Sequence, residues 1–159
     1  MPMKIEIIND RKYNWINKKI GNTNIFFKGI IWFNEKYYTG EKACRKLSGI
    51  FNSKIASTPS NHKQIIRDFI KTSSGNFAFV INSPDILIAV VDKIRSYPIY
   101  YCKINNVVFL SNSASKIKKQ AHLTEIDEKS LLIFNMSGYC IGQDTLFKDL
   151  KQIDRKSVV

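Results

Sequence analysis

Apolar and polar positions alternate along Lys4–Asn9 (KIEIIN), which predicts an opening strand. Turn chemistry at Gly21–Asn24 (GNTN) precedes the apolar run Ile25–Phe33 (IFFKGIIWF), read as a strand interrupted by Lys28-Gly29. The period then becomes helical. Thr39 stands where a cap is wanted before Glu41–Phe51, whose Ala43, Leu47, Ile50 and Phe51 share one face. A polar, proline-containing loop, Ser57–Asn61, leads to a second helix, capped by Ser60 and ending near Lys71. That helix buries Ile65, Ile66, Phe69 and Ile70.

Strand patterns return without an intervening helix. Phe77–Ile81 and Ile86–Val91 flank the turn signal Asn82-Ser83-Pro84-Asp85, and Ile99–Lys103 and Val107–Leu110 flank Ile104-Asn105-Asn106. These two hairpins are read as four adjacent antiparallel strands. Two short helices follow, near Ser113–Gln120 and Asp127–Met136, the second capped by Asp127 and stopped before Gly138. Helix pair, hairpins, helix pair is an α+β layered arrangement. There is no internal repeat, linker or low-complexity segment.

Composition narrows the class. The 159 residues suffice for one domain, and 44% apolar residues exclude a disordered tail. No apolar run approaches the ~20 residues of a membrane-spanning helix. The N-terminus has no secretory-type apolar core, so a cytoplasmic setting is expected. Cys44, Cys102 and Cys140 are widely spaced, with no CxxC or Cys/His ligand spacing, and His62 and His122 are isolated. Three reduced thiols and no metal site are therefore expected.

The net charge of +12 would attract anions. The excess is mostly lysine spread along the chain beside abundant Ile and Asn, and is read as solvated surface. A basic binding module for nucleic acid or a phosphorylated ligand is the alternative. The tightest cluster, Lys116-Ile117-Lys118-Lys119, lies on a predicted helix without interleaved aromatics that would stack bases.

Two segments carry a family signal: Gly75–Tyr101 (GNFAFVINSPDILIAVVDKIRSYPIYY) and Leu131–Ile153 (LLIFNMSGYCIGQDTLFKDLKQI). Together they resemble the glutaminase half of glutamine-dependent asparagine synthetases. The pattern there runs G-x-F-A-F, a hairpin, D-R-x-G-x-x-P-L-Y-Y, then G-Y-x-x-G-x-x-T-L-F. The resemblance covers roughly residues 25–153. It implies the four-layer αββα sandwich of N-terminal-nucleophile hydrolases of the glutamine amidotransferase type.

In active relatives a cysteine at the first position attacks the glutamine amide, with its own α-amine as base. This chain reads Met1-Pro2-Met3-Lys4, and no Gly-Cys or Asp-Cys junction offers an internal start, so glutaminase activity is expected to be lost. The family's oxyanion hole uses the asparagine and glycine of N-G-E-I-Y-N. The nearest match, Lys28-Gly29-Ile30-Ile31-Trp32, keeps Gly29 and carries Lys28 at the asparagine position. Losing one such donor costs on the order of 10²–10³ in rate. The family's R-L-S and G-S-D segments have no counterpart.

Gly75 and Asn76 precede Phe77-Ala78-Phe79, and the glycine is expected to permit a tight helix-to-strand turn. Asp92 matches the aspartate that grips the glutamine α-amine. Read without the family, it is a loop carboxylate paired with Lys93 or Arg95. Arg95, where the family has glycine, is a candidate for gripping a carboxylate or phosphate. The resemblance thus implies no catalytic residue and a vestigial pocket of Lys28, Gly29, Gly75, Asn76, Asp92 and Arg95. A hydrolase with Lys28 or Cys140 recruited is the enzymatic alternative.

The block Gly138–Gly142 followed by Thr145–Lys148 leads, in relatives, into an ATP-dependent synthetase domain with an S-G-G-x-D-S pyrophosphate loop. That motif is absent from residues 1–159. The expectation is a degenerate glutaminase-type domain of an asparagine-synthetase-like ligase, docking on a synthetase domain or subunit. Self-association is a further option. ATP and Mg are expected only in that partner, and the surface facing it is expected to be unusually apolar.

Overall fold

In the computed structural model the described residues are 2–57 and 61–154. They fall into two compact units. One runs from Asn14 to Tyr97; the other joins the residues up to Tyr13 with Pro98–Asp154. Two sheets and four α-helices make the α+β class plain.

The Asn14–Tyr97 unit holds a five-stranded sheet with β2 (Ile16–Ile20), β3 (Thr23–Phe33), β4 (Lys36–Thr39), β5 (Ser74–Asn82) and β6 (Leu87–Val91). Helices α1 (Gly40–Ser57) and α2 (His62–Thr72) lie between β4 and β5 in the chain. β3 is the spine: it pairs with β5 from Asn24 to Trp32. Its other edge takes β2 from Thr23 to Phe27 and β4 from Ile30 onward. Lys28 and Gly29 therefore do not interrupt β3, which runs straight through them. They mark the gap where two partner strands stop on either side.

The core of this unit is built from Ile25, Phe27 and Ile31 of β3, Leu47 and Phe51 of α1, Ile66 and Phe69 of α2, and Phe77 and Phe79 of β5. Phe69 meets Phe33, Phe51 and Phe79 at centroid separations of 5.2, 5.3 and 6.0 Å, within the range of favourable ring pairs. The expected apolar face of α1 is the buried one, with Ile50 partly buried beside it, and α1 runs on past Phe51 to Ser57. In α2, Ile66, Phe69 and Ile70 are buried and Ile65 packs at the margin. Asn61 holds its N-cap position; Ser60 and most of the expected loop lie outside the described residues.

The other unit holds β1 (Lys4–Ile8), a 3-10 turn (Arg11–Tyr13), β7 (Tyr100–Ile104), β8 (Val107–Ser111) and β9 (Lys151–Gln152), in the order β1-β8-β7-β9. The two predicted hairpins form, but they belong to different sheets, so the four strands are not one array. β1 pairs with β8 in parallel. The β7–β8 loop places Asn105 and Asn106 at φ 47° and 66°, the left-handed pair that a two-residue hairpin demands.

Helices α3 (Ala114–Gln120) and α4 (Glu128–Ser137) agree with the sequence pattern. Asp127 caps α4, accepting from the amides of Lys129 and Ser130, and Gly138 closes it at φ 80°. Cys102, Ile117, Leu123 and Leu150 form this unit's core.

Candidate functional site

All six residues of the implied pocket gather at one corner of the Asn14–Tyr97 unit. Across the β3–β5 ladder, Lys28 faces Ala78, Gly29 faces Phe77, Ile30 faces Asn76 and Ile31 faces Gly75. Gly29 and Gly75 thus stand diagonally about the Ile30–Asn76 pair. Their φ values are 102° and 114°, in a region closed to side chains with a Cβ. A Cβ on Gly29 would overlap the Asn76 carbonyl, and one on Gly75 would overlap the Ile30 carbonyl. Gly75 is therefore a strand residue fixed by close backbone approach. The turn from α2 is made before it, at Ser73, whose amide returns to the Phe69 carbonyl at 2.9 Å.

Asp92 follows β6 and is buried. Its carboxylate accepts from the amides of Phe77 at 3.0 Å, Ile94 at 2.8 Å and Ser96 at 3.2 Å, while its own amide donates to the Phe77 carbonyl at 3.0 Å. The Arg95 amide bonds the Asp92 carbonyl at 3.1 Å, with Arg95 at φ 57°. Asp92 is thereby a clamp that folds the turn after β6 onto the start of β5. Three backbone amides thus take most of the roughly four acceptor sites of this carboxylate.

Lys28 and Gly29 open onto the β2–β4 gap. The Thr39 hydroxyl donates to the Gly29 carbonyl at 2.9 Å, and Lys28 Nζ reaches the Asn14 carbonyl at 3.5 Å and lies 5.9 Å from the Tyr97 ring centre. Sequence reasoning passed over Ser96 and Tyr97. Ser96 Oγ is buried without a hydrogen-bond partner among the described residues. Only the bare S-Y-P spelling marks it in the sequence.

None of the thiols is poised for nucleophilic attack. Burial, then the Glu41 carboxylate, pushes Cys44 up to about 11; burial, then Asp149, pushes Cys102 up to about 11. Cys140 is half-buried and also raised, first by burial and then by Asp144 and Asp127. A thiol held protonated at neutral pH is a poor nucleophile. Among the described residues no group of three His, Cys, Asp or Glu side chains could hold a metal ion.

No family model matches the chain, and no curated protein matches it.

In the other unit, Cys140, Asp144, Phe134, Phe147 and Lys118 border a cavity of about 410 Å³. Lys118 Nζ lies 4.7 Å above the Phe147 ring, so an aromatic does meet the Lys116–Lys119 cluster, although the lysine itself covers it. Thr145 knots the following loop: its hydroxyl donates to the Leu150 carbonyl at 2.7 Å and accepts from the Phe147 amide at 3.1 Å.

Helix α4 beside this cavity has an inverted pattern. Ser130 is its buried residue, while Leu132 is 61% exposed and Met136 81%. Leu131 and Phe134 are exposed too, as are Tyr139 and Ile141 just beyond. No helix is long and apolar enough to cross a membrane among the described residues.

Proposed function

We propose that the chain is a glutaminase-type domain of an asparagine-synthetase-like, ATP-dependent amidotransferase that has given up amide hydrolysis. In this reading its fold is of the N-terminal-nucleophile hydrolase type, and it docks on a synthetase domain or subunit. The observation that carries the reading is the exposed apolar face of α4 and the segment to Ile141. A helix that buries a serine and offers leucine, phenylalanine and methionine to solvent is completed by a partner. This face lies in the stretch that resembles the passage from glutaminase to synthetase. ATP and Mg would belong to the partner, which activates the acceptor carboxylate.

The loss of hydrolysis has its own support. Asp92 is committed to backbone amides, and all three thiols have raised pKa values. The expected outcome is no ammonia release when the purified chain is incubated with glutamine; turnover above a thiol-blocked control would end the pseudo-enzyme reading. Leu132→Glu/Met136→Glu is expected to abolish co-purification with the cognate synthetase domain. Undiminished association would remove α4 as the docking face.

A further inference from the structure

The β3–β4 hairpin and the first turns of α1 border an open groove of about 750 Å³. One side is aromatic. Trp32 and Tyr37 are partners across the β3–β4 register, 46% and 64% exposed, with ring centres 5.8 Å apart. Tyr38, on the opposite face of β4 with its partner Ile31, adds a ring turned toward α1, with Lys46 Nζ 5.6 Å from its centre.

The other side is cationic. Lys42, Arg45 and Lys46 recur at i, i+3 and i+4 on α1 and so share one face, and Lys36 joins them from β4. Glu35 is the one carboxylate in the lining. Arg45 reaches Glu41 only at 4.0 Å, and Lys36 and Lys42 make no ion pair among the described residues.

Four cations against one carboxylate select an anion. Exposed rings add something that a bare polyanion would not use, a π-face for a planar group. A duplex keeps its base faces stacked inside; a single strand presents them together with its phosphates. We propose that this groove binds single-stranded nucleic acid, with phosphates along Lys36, Lys42, Arg45 and Lys46 and bases stacked on Trp32 and Tyr37. The site is separate from the α4 face and does not depend on the docking reading.

The test is fluorescence anisotropy of a labelled mixed-sequence single strand with the full chain across a salt series. Micromolar binding at low salt is expected, with a log–log salt slope of about −2 to −3 for three to four phosphates at ~0.7 each. Trp32→Leu, which keeps apolar bulk without the ring, is expected to weaken binding about tenfold or more at unchanged slope. Tyr37→Leu repeats that measurement should Trp32→Leu fail to fold by circular dichroism. Lys42→Gln/Arg45→Gln flattens the slope by about 1.4. A charge control in the other unit, Lys116→Gln/Lys118→Gln/Lys119→Gln, leaves affinity within about twofold if binding follows the groove, not overall charge.

Any of these results overturns the proposal: no binding at ~50 mM salt, an equal loss in the charge control, equal affinity for poly-glutamate, or equal affinity for the matching duplex. Poly-glutamate would assign the groove to an acidic protein partner instead. Unchanged binding by folded Trp32→Leu and Tyr37→Leu would also end it.

Discussion

Asp92 and Gly75 hold the corner where the implied pocket gathers, and each does so through backbone. Asp92→Ala leaves the amides of Phe77, Ile94 and Ser96 without their acceptor. An unpaired buried donor costs about 1–3 kcal/mol; the Phe77 bond is buried and those of Ile94 and Ser96 are only partly so, and a total loss of about 2–4 kcal/mol is expected in urea unfolding, with Asp92→Asn falling between. Gly75→Ala is expected to be at least as damaging, because the methyl meets the Ile30 carbonyl at a φ that alanine avoids. Wild-type stability in either variant would remove the clamp. The sequence marks Asp92 as a loop carboxylate but not the three amides that donate to it, which every residue carries and which no spelling distinguishes. Gly75 was legible as a required glycine and misread as a turn, since only the register with β3 reveals what crowds it.

At the scale of elements, α4 is the clearest departure from ordinary burial. Leu132→Glu is expected to change unfolding free energy by no more than about 0.5 kcal/mol, because the side chain is already in water. A large loss would show that the face is covered within the chain. The Asp127 cap works the other way. Its carboxyl is held below the usual range, first by the Ser130 amide and then by the Ser130 side chain and the Lys129 amide. The cap therefore supports α4 above the ordinary carboxylate pKa and is lost as pH falls through the lowered value. Lower protection factors for the Lys129 and Ser130 amides, relative to intrinsic exchange at the same pH, in Asp127→Ala or in acid check this. The Asp127 cap, the Gly138 stop and the helix faces were legible because their signals are local, whereas the Thr39 hydroxyl donates to the Gly29 carbonyl. β2 and β4 were not: INKKI and KYYT are short, polar and supported on one edge by β3. The groove was missed for a related reason. Lys42, Arg45 and Lys46 show helical spacing in the sequence, but only the hairpin brings Trp32 and Tyr37 beside them.

Across the molecule, α+β class was readable and sheet membership was not, because hairpins close locally whereas the choice of sheet is made by distant partners. Stability at high pH is a property of the whole chain that the cysteines help to set. An unfolded cysteine ionises near 9.0, but Cys44 and Cys102 resist until about 11 in the fold. Between those values the unfolded chain releases protons that the native one keeps, so stability falls as pH rises through that window. Urea midpoints at neutral and alkaline pH check it: Cys44→Ala/Cys102→Ala is expected to show a shallower decline than the parent. The parallel seam between β1 and β8 bears on biosynthesis. Ile8 and Ser111 are joined by a hydrogen bond spanning 103 residues. During translation, β1 leaves the ribosome as an unzipped edge and waits for β8, which follows only after the whole Asn14–Tyr97 unit has emerged. A slow, late closure of this kind makes the leading strand the segment most open to proteases and chaperones while the chain is being made.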